Sequence, residues 1–249
     1  MKWGAFIGGA TLAALASLPV SSPARAADMT PIGQRAIPAT TGYIPAQFFW
    51  TGFYLGASAG YGFGTSTFID PLPAAAAASA SPSLKGFLVG GVSGINYQIS
   101  SVVLGVEGDF TGSWAKGSAI DTVGDSLQTQ VFWTASITGR VGVAFDRLLI
   151  YGKAGVGFDY DRDIVAAAAG GVATGTTYHI GWTAGGGVEY AITEHWIGRI
   201  AYDYFTFPMR GVIFTGTAIP SPGILVNSGA GGSVGVKLNE IKAIMAYKF

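Results

Sequence analysis

Beyond the first 26 residues, no stretch of the chain stays apolar for the roughly 18 residues that a membrane-crossing helix requires, yet segment after segment alternates by twos between apolar and small or polar residues. In "WTGFYLGASAGYGFG", starting at Trp50, one face carries Phe53, Leu55, Ala57, Ala59, Tyr61 and Phe63, and the other carries Tyr54, Gly56, Ser58, Gly60 and Gly62. A period of two is the signature of a strand, with one side apolar and the other small and polar. The pattern recurs at about 85–99, 101–114, 130–145, 148–160, 177–192, 196–207 and 239–249, which predicts eight strands. In strand four the expected outer row runs Val131, Trp133, Ala135, Ile137, Val141, Val143 and Phe145. In strand seven the pattern is blurred by Ile197, Phe205 and Phe207.

Composition decides which kind of β-protein this is. Charged residues are only 11% of the chain, glycines number 39, aromatics reach 13% and mean hydropathy is +0.43. Such a chain would make a poor hydrated surface. Lys2 precedes the apolar "WGAFIGGATLAALASLPV", and Ala24 and Ala26 stand as the small residues before a cleavage point, so residues 1–26 are expected to be a secretory signal peptide. Removing Lys2 and Arg25 leaves the mature chain at about minus two, with no nucleic-acid footprint. With no cysteine there is neither a disulfide framework nor a thiolate metal site.

An exported chain that is apolar overall but never continuously so fits a closed barrel, which satisfies its backbone hydrogen bonds without an open edge. The expected fold is all-β, an eight-stranded antiparallel transmembrane β-barrel in an up-and-down meander. Residues 27–49, with three prolines and no period, would form a periplasmic N-terminal segment, and 50–249 the outer-membrane barrel. Connections at 100–101, 146–147 and 193–195 are short periplasmic turns, whereas 64–84, 115–129, 161–176 and 208–233 read as long extracellular loops. The prolines flanking "PLPAAAAASASPS" favour a loop over a brief helix there.

The polar faces then point into a lumen that eight strands leave only wide enough for side chains. Glu107, Asp109, Arg140, Lys153, Glu189, Arg199, Asp203 and Lys242 fall at similar depth, four acids and four bases. The turn near 146–147 sets Arg140 opposite Lys153, a repulsion that a third group must relieve. The expected ladder is Glu107 with Arg140, Lys153 with Glu189 and Arg199, and Asp203 with Lys242. A plugged interior is favoured over a wide pore, with a channel for small polar solutes as the alternative. Of the two histidines, His195 falls in a turn, and His179 faces inward near Asp159, where it could serve as the base of a barrel-embedded hydrolase or acyltransferase. A member of a polar network is its plainer role. "DYDRD" at 159–163 clusters three acids but lacks calcium-loop spacing, so neither a metal site nor a cofactor is expected.

The segments "FWTGFYLGASAGYGFG", "GVEGDF", "GRVGVAFDRLLIYGKAGVGF" and the closing "AYKF" resemble the small outer-membrane immunogenic (porin) family of alphaproteobacteria over nearly all of 48–249. The resemblance implies localisation to the cell outer membrane, a surface antigen and a role in envelope integrity, and no catalytic set. Phe249, with Tyr247 and Met245 before it at alternate positions, resembles the terminal signal read by the barrel-assembly machinery. Implied partners are outer-membrane lipid and lipopolysaccharide, periplasmic chaperones and the assembly machinery during biogenesis, and cell-wall or host-surface contacts. The alanine-rich first loop and the 208–233 loop depart from the family pattern, as does the charge carried by the last strand.

Overall fold

A computed structural model of the chain describes residues 48–69, 79–120, 126–166, 170–213, 215–216 and 231–249. The leader expected over 1–26, most of the segment expected over 27–49 and much of the expected loop sequence, including the centre of "PLPAAAAASASPS", lie outside the described residues.

Eight principal strands form one antiparallel meander: β1 (Gly52–Ile69), β2 (Ser83–Ile99), β3 (Val102–Ser113, continued by Lys116–Ile120), β4 (Ser126–Phe145), β5 (Leu148–Ala166), β6 (Val172–Ala191), β7 (Trp196–Ile213) and β8 (Gly231–Lys248). Two-residue pieces, Ser79–Ala80 and Thr215–Gly216, add to β1 and β6. Each strand pairs with the next, and β8 pairs with β1 along Tyr54↔Lys248 to Ile69↔Ser233, so the ladder has no free end. Traced across the strands, Tyr54 leads through Gly94, Glu107, Thr138, Gly155, Thr183, Phe205 and Leu238 back to β1 at Gly64, ten residues further along. A stagger of that size over eight strands is the tilt geometry of a closed barrel, roughly 35–45° to its axis.

The turns at Ser100–Ser101 and Asp146–Arg147 are two-residue hairpins whose first residue takes positive φ, 56° at Ser100 and 52° at Asp146. The mirror-image turns that match strand twist place their first residue there. At the other rim the ladders run further than hydropathy suggests: β1 reaches Ile69, β5 reaches Ala166, and β4 and β6 begin at Ser126 and Val172. The expected strand ends and long loops are corrected accordingly. Alternation in hydropathy stops where the bilayer stops, after about 9–11 residues, but backbone pairing continues through polar sequence beyond it.

The apolar faces point outward. Leu55, Val106, Ile137, Val141, Ile200 and Ile241 are exposed around the middle of the wall. Aromatic rings flank them at both ends. Phe110, Trp133, Tyr160 and Tyr178 run side by side toward the long-loop rim, with centroids 5.7, 6.2 and 4.6 Å apart in turn. Phe53, Phe249, Tyr247 and Trp196 do the same at the short-turn rim. This is the interfacial girdle pattern of barrels in lipid.

One expected outward residue is corrected. Val131 is fully buried inside the barrel, because a bulge between Val131 and Trp133 inserts Phe132 and reverses the phase of β4 above it. The blur in β7 needs no bulge: Ile197, Phe205 and Phe207 share the inward phase of Arg199 and Asp203 and all pack inside. Inward glycines make room for large partners: a Cβ on Gly94 would collide with the Tyr54 hydroxyl, and one on Gly157 would lie 2.8 Å from the Phe205 ring.

Candidate functional site: the stacked lumen

The interior is layered. Next to the short-turn rim, Trp50, Val103, Leu149, Ile197, Ile244 and Ala246 form a buried apolar layer. Trp50 and Phe48 enter it from ahead of β1 and pack edge to face with centroids 4.8 Å apart. Their backbone is tied down as well. The Trp50 amide donates to Gln98 Oε1 at 2.7 Å, its indole Nε1 donates to the Asp146 carbonyl at 3.0 Å, and the Phe48 amide donates to Asp146 Oδ1 at 3.1 Å. The positive-φ turn at Asp146 therefore also latches the N-terminal side of the barrel into its own mouth.

Above that layer lies a belt of charge. All eight charged residues expected in the lumen face inward and are buried. Arg140 and Lys153 are direct cross-strand partners, and Glu107 separates them, accepting from Arg140 at 3.2 Å and Lys153 at 3.0 Å. Arg199 also donates to Glu107, and the Tyr54 hydroxyl donates to it at 2.6 Å. Glu189 accepts from Arg140, and its Oε1 forms an ion pair with Arg199 Nε at 2.8 Å. Lys242 joins Asp109 at 3.0 Å to Asp203 at 3.1 Å, and Lys153 meets Asp203 at 2.9 Å.

The Glu107–Arg140, Glu189–Arg199 and Asp203–Lys242 contacts are those of the expected ladder, but Lys153 does not reach Glu189. The register sets Glu189 level with Leu149, four residues below Lys153, and brings it to the two arginines instead. Two members escaped the sequence reading. Glu240, a ninth charge, binds Lys242 at 3.0 Å and accepts from the Thr134 hydroxyl at 2.8 Å. The Tyr151 ring lies 4.0 Å beneath the Arg140 guanidinium. Inward alternation on β8 and β5 was the available signal for both.

Above the belt a second apolar layer closes the section: Leu84, Leu127, Val131, Phe205, Phe207, Val234, Val236 and Leu238 are all buried. Set among them is a second polar cluster. Asp159, Asp161 and Asp163 alternate inward on β5, and His179 stands directly opposite Asp159 on β6. His179 Nδ1 is 3.1 Å from Asp159 Oδ1 and 3.8 Å from Asp161 Oδ2, and Nε2 is 3.3 Å from the Val234 carbonyl. The Thr129 hydroxyl donates to Asp163 at 2.7 Å. The other histidine, His195, is exposed and stacks on Tyr247 with centroids 5.4 Å apart.

On the outer face near the long-loop rim, Lys85 and Lys116 are direct cross-strand partners, and the row continues through Gln130 to Arg162, both lysines and the arginine exposed. At the seam, the Phe249 amide donates to the Phe53 carbonyl at 2.9 Å, and Met245 and the Phe249 ring are exposed on the outer face.

The family model of the outer membrane protein beta-barrel domain matches residues 10–249. The chain is similar to the 25 kDa outer-membrane immunogenic protein of Brucella abortus, 31% identical over 206 residues that cover 82% of this chain and 86% of that one. It is similar to the 31 kDa outer-membrane immunogenic protein of Brucella melitensis at 31% over 218 residues, 81% and 88% of the two chains. Among solved structures it is similar to the outer membrane protein OprG from Pseudomonas aeruginosa, with a TM-score of 0.49 and 13% identity, covering 82% of this chain and 98% of that one. The chain belongs to the outer membrane protein beta-barrel domain family and resides in the outer membrane.

Proposed function

We propose that the protein is a sealed, non-catalytic structural barrel that supports envelope integrity, displays its long-loop rim as a surface antigen and holds lipopolysaccharide at the outer leaflet. The observation that carries this reading is the stacking of a paired, buried belt of charge between two apolar layers. Water crossing the lumen would have to enter both apolar layers and break ion pairs whose partners cannot be resolvated cheaply. A channel for small polar solutes is disfavoured on the same ground. Planar-bilayer recordings of the folded protein are expected to show no discrete conductance; regular single-channel steps would overturn the sealed reading.

Catalysis by His179 is disfavoured because both it and Asp159 are buried at 1% exposure, out of reach of a lipid or peptide. The relatives' names, outer-membrane immunogenic proteins, support the antigen role by analogy. The basic row supports the lipid contact. Lys85 and Lys116 face each other with Arg162 further along, above a girdle of rings, which suits the phosphates of an anionic headgroup seated at the interface. Replacing all three by Gln is expected to weaken lipopolysaccharide co-purification while leaving the unboiled gel mobility unchanged.

Export behind a leader at 1–26, escort by periplasmic chaperones and recognition by the assembly machinery complete the reading, together with contacts to cell wall or host surface through the exposed rim. Met245, Tyr247 and Phe249 would be the assembly signal, and deleting Phe249 is expected to lower outer-membrane levels more than it weakens barrels already folded. Normal levels of the deletion variant would remove that role.

A further inference from the structure

The cluster above the belt has the wrong charge for its surroundings. Asp159 is 1% exposed, and Asp161 and Asp163 are fully buried. Among the described residues, the one ion-pair partner is His179, itself 1% exposed, which reaches Asp159 and Asp161. Neither oxygen of Asp161 has a hydrogen-bond partner among the described residues, and Asp159 Oδ2 and Asp163 Oδ2 have none there either. Three carboxylates facing a single imidazole inside an apolar layer are a costly arrangement unless something positive lies among them.

The ring's orientation says where. Nε2 lies 3.3 Å from the Val234 carbonyl, which can only accept, so Nε2 carries a proton. Nδ1 is then left facing Asp159 and Asp161, and in the neutral ring that nitrogen presents a lone pair to two carboxylates. A second proton on the ring offsets one negative charge of the three. A divalent cation offsets two and accepts the lone pair as well.

One ligand atom from each of Asp159, Asp161 and His179 lies within 4.8 Å of the others. Tetrahedral zinc, with ligands at about 2.0–2.1 Å, sets its ligand atoms about 3.3 Å apart. The Nδ1 separations of 3.1 and 3.8 Å bracket that value. A set of one imidazole with carboxylates favours first-row transition cations over magnesium or calcium. The Val234 carbonyl, accepting from the far ring nitrogen, is the outer support that holds a ligating histidine in one tautomer.

We propose that Asp159, Asp161 and His179 bind a divalent transition-metal cation, with Asp163 as an adjacent third carboxylate, in the long-loop half of the barrel. Because the site is closed over by the upper apolar layer, the ion is taken up as the barrel folds. It then ties β5 to β6 above the belt.

The test is to refold the mature chain from urea into detergent micelles with Zn2+, remove free ion by gel filtration, and measure bound zinc. The expected result is about one ion per folded barrel for the wild type, and a higher unfolding temperature than for protein refolded with chelator. The near-isosteric Asp161→Asn and the ligand-removing His179→Ala, each judged folded by unboiled gel mobility, are expected to lose bound zinc or to bind at least about tenfold more weakly. Wild-type protein that retains no zinc overturns the proposal without reference to any variant. So do folded variants that retain wild-type zinc, or a wild type that retains calcium in preference to zinc.

Discussion

Two polar clusters share one lumen and differ in balance. In the belt, Glu107, Asp109, Glu189, Asp203 and Glu240 face Arg140, Lys153, Arg199 and Lys242, and the hydroxyls of Tyr54, Thr111 and Thr134 supply further donors. One strand register higher, three aspartates face one histidine. The difference teaches what burial alone does not. A nearly neutral network needs nothing from outside and works as a strut, whereas a cluster with a deficit of positive charge is a place where a proton or a cation must be supplied.

Substitutions break or sharpen this contrast. The largest effect is expected from Glu107→Ala, which leaves Arg140, Lys153 and Arg199 short of their shared acceptor and should cost about 3–5 kcal/mol in urea unfolding of the micelle-bound barrel. Lys153→Met, which strips one cation from between Glu107 and Asp203 while keeping the stem's packing, is expected to cost about 3 kcal/mol in the same measurement. In the upper cluster the sign reverses. For protein refolded with chelator, Asp161→Asn should raise stability by about 1 kcal/mol, because it removes an uncompensated buried charge. If that change destabilises the metal-free barrel, the two clusters are not different in kind. The smallest effect belongs to Arg162→Ala, on the outer face of the same strand, where the guanidinium lies 5.2 Å from the Phe132 ring. A loss of about 0.5–1 kcal/mol at most is expected there.

How much of this was legible in sequence depended on whether two signals coincided. Where hydropathy and pairing share a period, as along Leu55 to Phe63 or Ile137 to Phe145, the outward rows and the inward charges could be read directly, and so could the opposition of Arg140 and Lys153 across a two-residue turn. Where a strand leaves the bilayer the hydropathy signal ends and the ladder does not, so the ends of β1, β5 and β7 were underestimated. The bulge at Val131–Trp133 has no local signature and turned an expected lipid-facing residue into a lumen one. The partner of Lys153 depended on the stagger between strands, which is a property of the closed ring and not of any one segment. The upper cluster was legible in part. His179 could be placed inward near Asp159, and Asp159, Asp161 and Asp163 are visible as a triplet, but the contact that brings Asp161 to the same ring exists only once β5 and β6 are paired.

The seam between β1 and β8 has a consequence in time. Tyr54 pairs with Lys248, and the Phe249 amide closes on the Phe53 carbonyl, so the strand that leaves the exporter first must wait for the one that leaves last. Until then both edges are unsatisfied, and an open edge recruits whatever strand it meets first. The latest contact to form is also the most remote in sequence, the kind that chain-entropy arguments make slowest. A wall with no free edge therefore presupposes a waiting period, and for its whole length the chain must be kept from other copies of itself.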